Sequence, residues 1–282
     1  MQLNTLDVNL GGGSILQYAT RGPHQGMGYL LKTPEGRLVM IDGGRDDFGD
    51  GDYTRQLIRE HGDRVDLWIM THAHNDHFGA LSRILQDTET LDFEIADLRF
   101  TFPPLEWIGS VENGGSLAPV SEFYRQLGRH GIVSTHLAAG DVIECGGLTI
   151  DVLSDGSDYE NYHTINDTSA ILRVHYPHRD VLFLGDLGAE SATALLTRVP
   201  AEALHCDIVQ MAHHGQGGAE RNFYEVVRPK VALYTAPMWL WECDNGKGRG
   251  SGPWQTLKTR AWMEELGVQV SCPHAYGDYL LI

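Results

Sequence analysis

Residues 65–77 read Val-Asp-Leu-Trp-Ile-Met-Thr-His-Ala-His-Asn-Asp-His, and the fold is decided there. The apolar run Val65–Met70 has the length and composition of a buried strand. It passes without a linker into four potential metal ligands, His72, His74, Asp76 and His77. Helical spacing then resumes over Phe78–Leu85. Neutral imidazoles and carboxylates are natural ligands of zinc and similar divalent cations. Histidines two apart on an extended chain point the same way, so His72 and His74 fit one cation. Asp76 and His77, on the following turn, reach a second cation beside the first. The plain alternative, a solvated His-rich turn, is disfavoured by the strand that feeds it.

Working outward, Leu38–Ile41 reads as a strand running into the turn Asp42-Gly-Gly44, and Tyr53–His61 as a helix. The second half of the chain repeats this plan. Val181–Leu184 is a strand ending at Gly185-Asp186, Ala189–Leu196 a helix, and Asp207–Met211 a strand ending at Ala212-His213-His214-Gly215. Each half runs strand, Asp, helix, strand, His. Asp42 to His72 spans 30 positions and Asp186 to His214 spans 28. Two such halves predict an α/β protein with its site where strand ends of both halves meet. Asp186 is placed to bridge two cations; its alternative is a helix cap. Of His213 and His214 one is expected to be a ligand and the other a substrate or outer contact, because neighbours on an extended chain point apart. Asp42 is expected to hydrogen-bond the ligand loops from behind.

Between the halves, residues 140–147 and 148–153 read as a hairpin. Phe102–Ala118 and Pro237–Pro253 read as long surface loops, of the kind that overhang sites. The second, with the residue after it, gathers Trp239, Trp241 and Trp254 among glycines. No linker or low-complexity stretch interrupts residues 1–282, so a single domain is expected.

The 282 residues are 42% hydrophobic and 21% charged, ordinary for a soluble globular chain. A formal charge of −17 argues against non-specific affinity for nucleic acid or anionic membrane. Cys145, Cys206, Cys243 and Cys272 are scattered, with no Cys-x-x-Cys pair, and read as free, mostly buried thiols. The first seven residues lack the basic and apolar regions of a signal peptide, and no apolar run reaches membrane-spanning length. A cytoplasmic location is the expectation; oligomeric state is not legible.

The His-x-His-x-Asp-His motif, strand-end Asp186 and strand-end His214 resemble the metallo-β-lactamase superfamily. Within it the chain is most similar to the hydrolase domain of competence DNA-uptake proteins and to phosphorylcholine esterases. The likeness also rests on residues 6–8, 40–43, 139–141, 166–169, 183–186, 213–215 and 228–231, in order along nearly the whole chain. It implies a four-layer αββα sandwich of two similar halves with the site at one edge of its sheets. It further implies that His72 and His74 bind a first metal, Asp76, His77 and His214 a second, and that Asp186 bridges both. His214 is preferred to His213 because the family's loop ends Gly-His-Gly. The chain departs from the pattern twice. The further histidine that many members supply to the first metal is missing: the region reads His163-Thr-Ile-Asn-Asp-Thr-Ser169, with Asn166 near the expected place. Either His163 reaches that metal or the metal has three protein ligands. The competence-type Gly-Gln-Gly-Asp is replaced by Leu10-Gly-Gly-Gly-Ser14, which argues against DNA processing.

The chemistry so implied is hydrolysis, using two divalent ions about 3.5–4 Å apart that hold a bridging hydroxide. Zinc is the first expectation, with manganese or iron also compatible. The expected substrate is a small anionic phosphodiester or phosphate ester. Asp76 and Asp186 would orient the nucleophile, and His213, Asn166 or His163 would donate to substrate oxygens. Trp239 would offer an aromatic wall, unless these tryptophans simply pack. Two alternatives stand beside this: hydrolysis of a thioester or lactone at the same site, and a metal-binding regulator without turnover.

Overall fold

The computed structural model describes residues 2–282. In the first half, β1 (Leu3–Leu6), β2 (Ser14–Gln17), β3 (Gly28–Lys32) and β4 (Leu38–Asp42) precede α1 (Asp50–Glu60). There follow β5 (Arg64–Val65), β6 (Leu67–Ile69), α2 (Asn75–Asp87), β7 (Glu94–Ile95) and β8 (Leu98–Arg99). Helices α3 (Leu105–Ser110) and α4 (Leu117–Arg129) lead to β9 (Ser134–Thr135). The second half opens with β10 (Val142–Cys145), β11 (Leu148–Ser154), β12 (Ile171–His175) and β13 (Asp180–Phe183). Next come α5 (Ala189–Arg198), α6 (Ala201–Leu204), β14 (Ile208–Gln210), α7 (Arg221–Val227) and β15 (Val231–Tyr234). The chain closes with α8 (Met238–Trp241), α9 (Thr256–Glu265), β16 (Val270–Pro273) and β17 (Asp278–Leu281).

One sheet has the order β1-β17-β2-β3-β4-β6-β8-β9 and the other runs β10 to β16 in sequence. Both change from antiparallel to parallel pairing at the strand whose end carries an Asp, β4 in one and β13 in the other. That change follows from connectivity: short hairpin loops give antiparallel neighbours, whereas helical crossovers return parallel ones. Three apolar layers hold the stack together. Ile15, Tyr29, Ile41, Ile150, Phe183 and Leu233 fill the space between the sheets. Met40, Trp68, Leu81 and Phe123 seal helices against the first sheet, and Leu182, Leu195, Phe223 and Trp262 seal helices against the second. The result is the expected αββα sandwich, in which central strands are covered on both faces and so read as apolar runs.

Three expectations about elements need correction. Val65–Met70 is not one strand, because Asp66 breaks it: its backbone N–H donates to Leu38 O at 2.8 Å and its carboxylate accepts from Leu38 N at 3.0 Å. Phe102–Ala118 is not an open loop, since it contains α3, a single tight turn at Glu112–Gly114, and the start of α4. Its Ile108 is fully buried, and Pro104 precedes the first turn of α3, a favourable start because proline's fixed φ suits it. Pro237–Pro253 likewise begins as helix α8 before opening into turns. Cys206, Cys243 and Cys272 are buried free thiols and Cys145 is half-buried. Among the described residues, no helix is long and apolar enough to cross a membrane.

Gln210, wholly buried at the end of β14, ties the second half's two site-bearing turns together. Its side chain accepts from Leu184 N at 2.7 Å and donates to Gly185 O at 2.9 Å and Met211 O at 2.6 Å. Replacing one side of a buried hydrogen bond leaves its partner unsatisfied, at about 1–3 kcal/mol per group. Gln210→Leu is therefore expected to lower the unfolding free energy by roughly 3 kcal/mol or more, measured by chemical denaturation. A loss under about 1 kcal/mol would show that these bonds do not hold the turns.

Candidate metal centre

Strand β6 delivers the chain to residues 70–74, and α2 begins at Asn75 with extended His74 as its cap residue (φ −100°, ψ 142°). Asp76 and His77 consequently lie in the first helical turn, where a carboxylate also complements the helix dipole. Behind them stands Asp42, fully buried, with φ +53° at the end of β4. Its carboxylate accepts from Thr71 N and Thr71 Oγ1, both at 2.8 Å, and meets His77 Nδ1 at 2.7 Å. In the second half Asp186 follows Gly185 (φ +52°), and Asp186 N donates to Ser169 Oγ at 3.0 Å.

The histidine loop after β14 departs from expectation. His213 and His214 are not extended but left-handed, at φ +49° and +55°, followed by Gly215 at +81°. Left-handed backbone costs a non-glycine residue on the order of 1–2 kcal/mol. It also defeats the argument that the two rings point apart: His214 Nε2 lies 3.4 Å and His213 Nε2 3.8 Å from the same oxygen, Asp186 Oδ2.

Each of four histidines spends one ring nitrogen on an oxygen partner. His72 Nδ1 lies 3.1 Å from Thr71 Oγ1, His77 Nδ1 meets Asp42, His214 Nδ1 lies 2.8 Å from Thr235 Oγ1, and His74 Nε2 lies 2.8 Å from Glu112 Oε2. Such partners fix the tautomer and leave the other nitrogen as a lone-pair donor. Those other nitrogens converge. His72 Nε2 and His74 Nδ1 are 3.1 Å apart, His77 Nε2 is 3.2 Å from Asp186 Oδ1, and His214 Nε2 is 3.2 Å from Asp76 Oδ2.

Two donor groups result, each with ligand atoms mutually within 4.8 Å: Asp76, His77, Asp186 and His214, all buried, and His72, His74 and Asp186. Asp186 belongs to both. Within the first group His77 Nε2, Asp186 Oδ1 and His214 Nε2 are buried without a hydrogen bond of good geometry, despite their ionic separations. Orphaned polar atoms of this kind are rare unless an ion or water completes them. Two imidazoles and two carboxylates around one point, and two imidazoles sharing a carboxylate beside it, suit a pair of divalent cations.

The charges agree with that reading. Burial opposes ionisation of Asp186, yet His214, His77 and His213 hold its carboxyl well below the usual range. Asp76 is likewise lowered, burial being outweighed by its close contact with His214 and by His77. Burial disfavours imidazolium at His77, but Asp186 and Asp42 raise it well above its ordinary value. His214, buried yet facing Asp186 and Asp76, is raised to about 9. His72 is lowered well below its ordinary value by burial and by His77, and His213 is lowered by burial.

The remaining expected residues lie to one side. Asn166 Nδ2 and His213 Nε2 are 3.3 Å apart, and both line a cleft of about 320 Å³ shared with His163, Thr164, Asp167 and Glu190. His163 is exposed and outside both donor groups, so the His72–His74 group has three protein members. Trp239 is held as a packing group: its indole donates to Pro23 O at 2.7 Å and its ring meets Trp254 edge-on at 4.6 Å. The structure adds residues the sequence reading missed. Glu112 abuts His74. Gln25 Nε2 donates to Asp76 Oδ2 at 3.2 Å, while Gln25 Oε1 accepts from Gln216 at 3.0 Å. Only the hydroxyls of Thr71 and Thr235 carried a signal, as polar residues at the ends of apolar strands.

The family model described as the metallo-beta-lactamase superfamily matches residues 21–242. No curated protein matches the sequence. Among solved structures, the metallo-beta-lactamase fold protein YhfI from Bacillus subtilis aligns with TM-score 0.53 at 13% identity, over 95% of this chain and 99% of that one. Yeast PDE1 aligns with TM-score 0.50 at 11% identity, over 95% and 99%. The CmlA beta-hydroxylase aligns with TM-score 0.52 at 14% identity, over 95% of this chain and 53% of that one. These likenesses are of fold.

Cations bind neutral imidazole, so wherever His77 or His214 is protonated they must displace that proton. With His214 raised to about 9, uptake near neutral pH is expected to release protons, and apparent affinity to climb with pH until about 9. Calorimetric titrations in buffers of different ionisation enthalpy measure both. A pH-independent affinity without proton release would contradict the assignment.

Proposed function

Because the chain belongs to the metallo-beta-lactamase superfamily, we propose that it is a di-metal-dependent hydrolase whose substrate is a phosphate ester, a monoanionic phosphodiester above all. The observation that carries the proposal is the pair of donor groups joined at Asp186, with their buried, unpartnered ring nitrogens and carboxylate oxygen. In this reading His72, His74 and Asp186 hold one cation, and Asp76, His77, His214 and Asp186 the other. When bound, two such cations supply Lewis acidity, lowering the pKa of water and offsetting charge that develops on the substrate.

The chain's own residues do the rest. Asp76 and Asp186 orient the attacking water from opposite halves of the sandwich. Gln25, donating to Asp76 Oδ2, keeps that carboxylate from turning. Asn166, His213 and His163 line the cleft beside the cluster and donate hydrogen bonds to the substrate's oxygens. Burial lowers the pKa of His213 and so favours its neutral form.

Charge favours the diester. Among the described residues the ion pairs of Asp76 and Asp186 are with histidines alone, and neither Lys nor Arg lines the adjacent cleft to meet a second phosphate charge. The fold itself does not decide the chemistry, since a beta-hydroxylase shares it.

Protein loaded with zinc or manganese is expected to cleave bis-p-nitrophenyl phosphate faster than p-nitrophenyl phosphate. His74→Ala and Asp186→Ala should each lower kcat/KM at least about 100-fold, as loss of a group acting on the transition state does. Activity unchanged by either substitution would sink the di-metal mechanism. Turnover of thioesters or lactones alone would instead identify a carbonyl hydrolase. Stoichiometric metal without turnover across such a panel would identify a metal-binding regulator.

A further inference from the structure

Glu112 belongs to none of the strand ends that build the centre. It comes from the tight turn after α3, a region the sequence pattern reads as loop. Its two oxygens nevertheless join three separated segments. Oε2 lies 2.8 Å from His74 Nε2, and Oε1 accepts from Ile165 N at 2.9 Å, next to Asn166. The backbone that presents it is left-handed at three consecutive residues, Glu112 (φ +49°), Asn113 (+55°) and Gly114 (+70°). Two of these are not glycine, and unfavourable backbone persists only where surrounding contacts impose it. The segment is fixed a second time, by Trp107 of α3 meeting Tyr159 edge-on at 5.6 Å. Thus residues 105–114 are clamped to residues 159–165, with the carboxylate over His74.

We propose that Glu112 is a positioning residue for the first cation: it fixes the His74 tautomer, with Nε2–H toward the carboxylate and Nδ1 toward the cation, and locks the Asn166 loop against that ligand. This rests on the di-metal reading and adds to it a residue from outside the superfamily motif. The need is local. The His72–His74 group has three protein members against four in its neighbour, and His74 is the half-exposed one among them. An imidazole that can rotate or switch tautomer is a poor ligand, and the other three histidines are already held by Thr71, Asp42 and Thr235. Among the described residues, His74 has only Glu112 for this purpose. Carboxylate–imidazole pairs behind a metal ligand orient the ring and raise its basicity, and their loss weakens metal affinity by about 10–100-fold.

The test is metal binding, read independently of turnover. Zinc and manganese titrations with elemental analysis are run on the intact protein and on Glu112→Gln, Glu112→Ala and His74→Ala, each checked for a native circular-dichroism spectrum. Wild type should take up two cations. Glu112→Ala should keep one at wild-type affinity and bind the other about 10–100-fold more weakly. Glu112→Gln, which retains one acceptor oxygen but no charge, should fall between them. Cobalt-substituted protein should lose the absorption of one site and keep that of the other, a split that general destabilisation does not produce. Two unchanged affinities in both Glu112 variants, with one cation lost in His74→Ala, would overturn the role of Glu112 and leave the di-metal centre standing. Unchanged affinities in all three variants would overturn both.

Discussion

The centre depends on one buried carboxylate that touches no proposed substrate. Asp42 ends β4 in a left-handed conformation, so its side chain turns from the strand direction back across β6. There it receives the backbone and hydroxyl hydrogens of Thr71 and the Nδ1 edge of His77, while its own carbonyl accepts from the Trp68 indole at 2.9 Å. Four bonds from one residue thus set where the chain leaves β6 and which way two histidines face, since Thr71 in turn supports His72. A buried carboxylate without such partners would be strongly unfavourable. The constraint therefore works both ways: the ligand loop satisfies Asp42, and Asp42 shapes the ligand loop.

The second half reaches the same end by other means. Ala170 N donates to Thr71 O at 2.8 Å, stitching the sheets together beside the ligands. From there Ser169 Oγ accepts from Asp186 N, Gln210 braces Gly185, and His213 N donates to Gly185 O at 3.1 Å. Where the first half uses a charged hub, the second uses a neutral amide and a run of left-handed residues. Gly215 closes that run at φ +81°, where an added Cβ would strike the Tyr234 ring at 2.3 Å. The chain repeat of strand, acid, helix, strand and histidine is thus real in three dimensions, but its two copies are held by unrelated contacts.

This explains what could be read from the sequence. His72, His74, Asp76, His77, Asp186 and His214 are local signals: short-range polar residues at the ends of apolar strands, whose periodicity fixes strand and helix before any tertiary contact is known. The αββα layering follows from the same periodicity. Glu112, Gln25 and Gln210 carry no such signal, because each acts through hydrogen bonds to residues 25 or more positions away in the chain. Asp66 splitting a strand is similar, its partner being Leu38. The left-handed His213–His214 pair is not legible for another reason: extended geometry is the default after a strand, and only Gly215 hints that the turn begins early.

Local charge also explains how a chain of formal charge −17 is compatible with an anionic substrate. Exposed charges are screened beyond about 8 Å at physiological ionic strength, so the distant acidic surface matters less than the groups around the cluster. There, Asp42, Asp76 and Asp186 bring three negative charges, and two divalent cations would bring four positive ones. Glu112 adds a fourth negative charge through its contact with His74, and Asp167 and Glu190 line the adjacent cleft, so two divalent cations would leave no surplus of positive charge there. A centre without surplus positive charge offers a dianion's second charge nothing to pair with. The carboxylate that steadies His74 would in this way also temper the charge of the cations, joining the geometry of the first cation's site to its electrostatics.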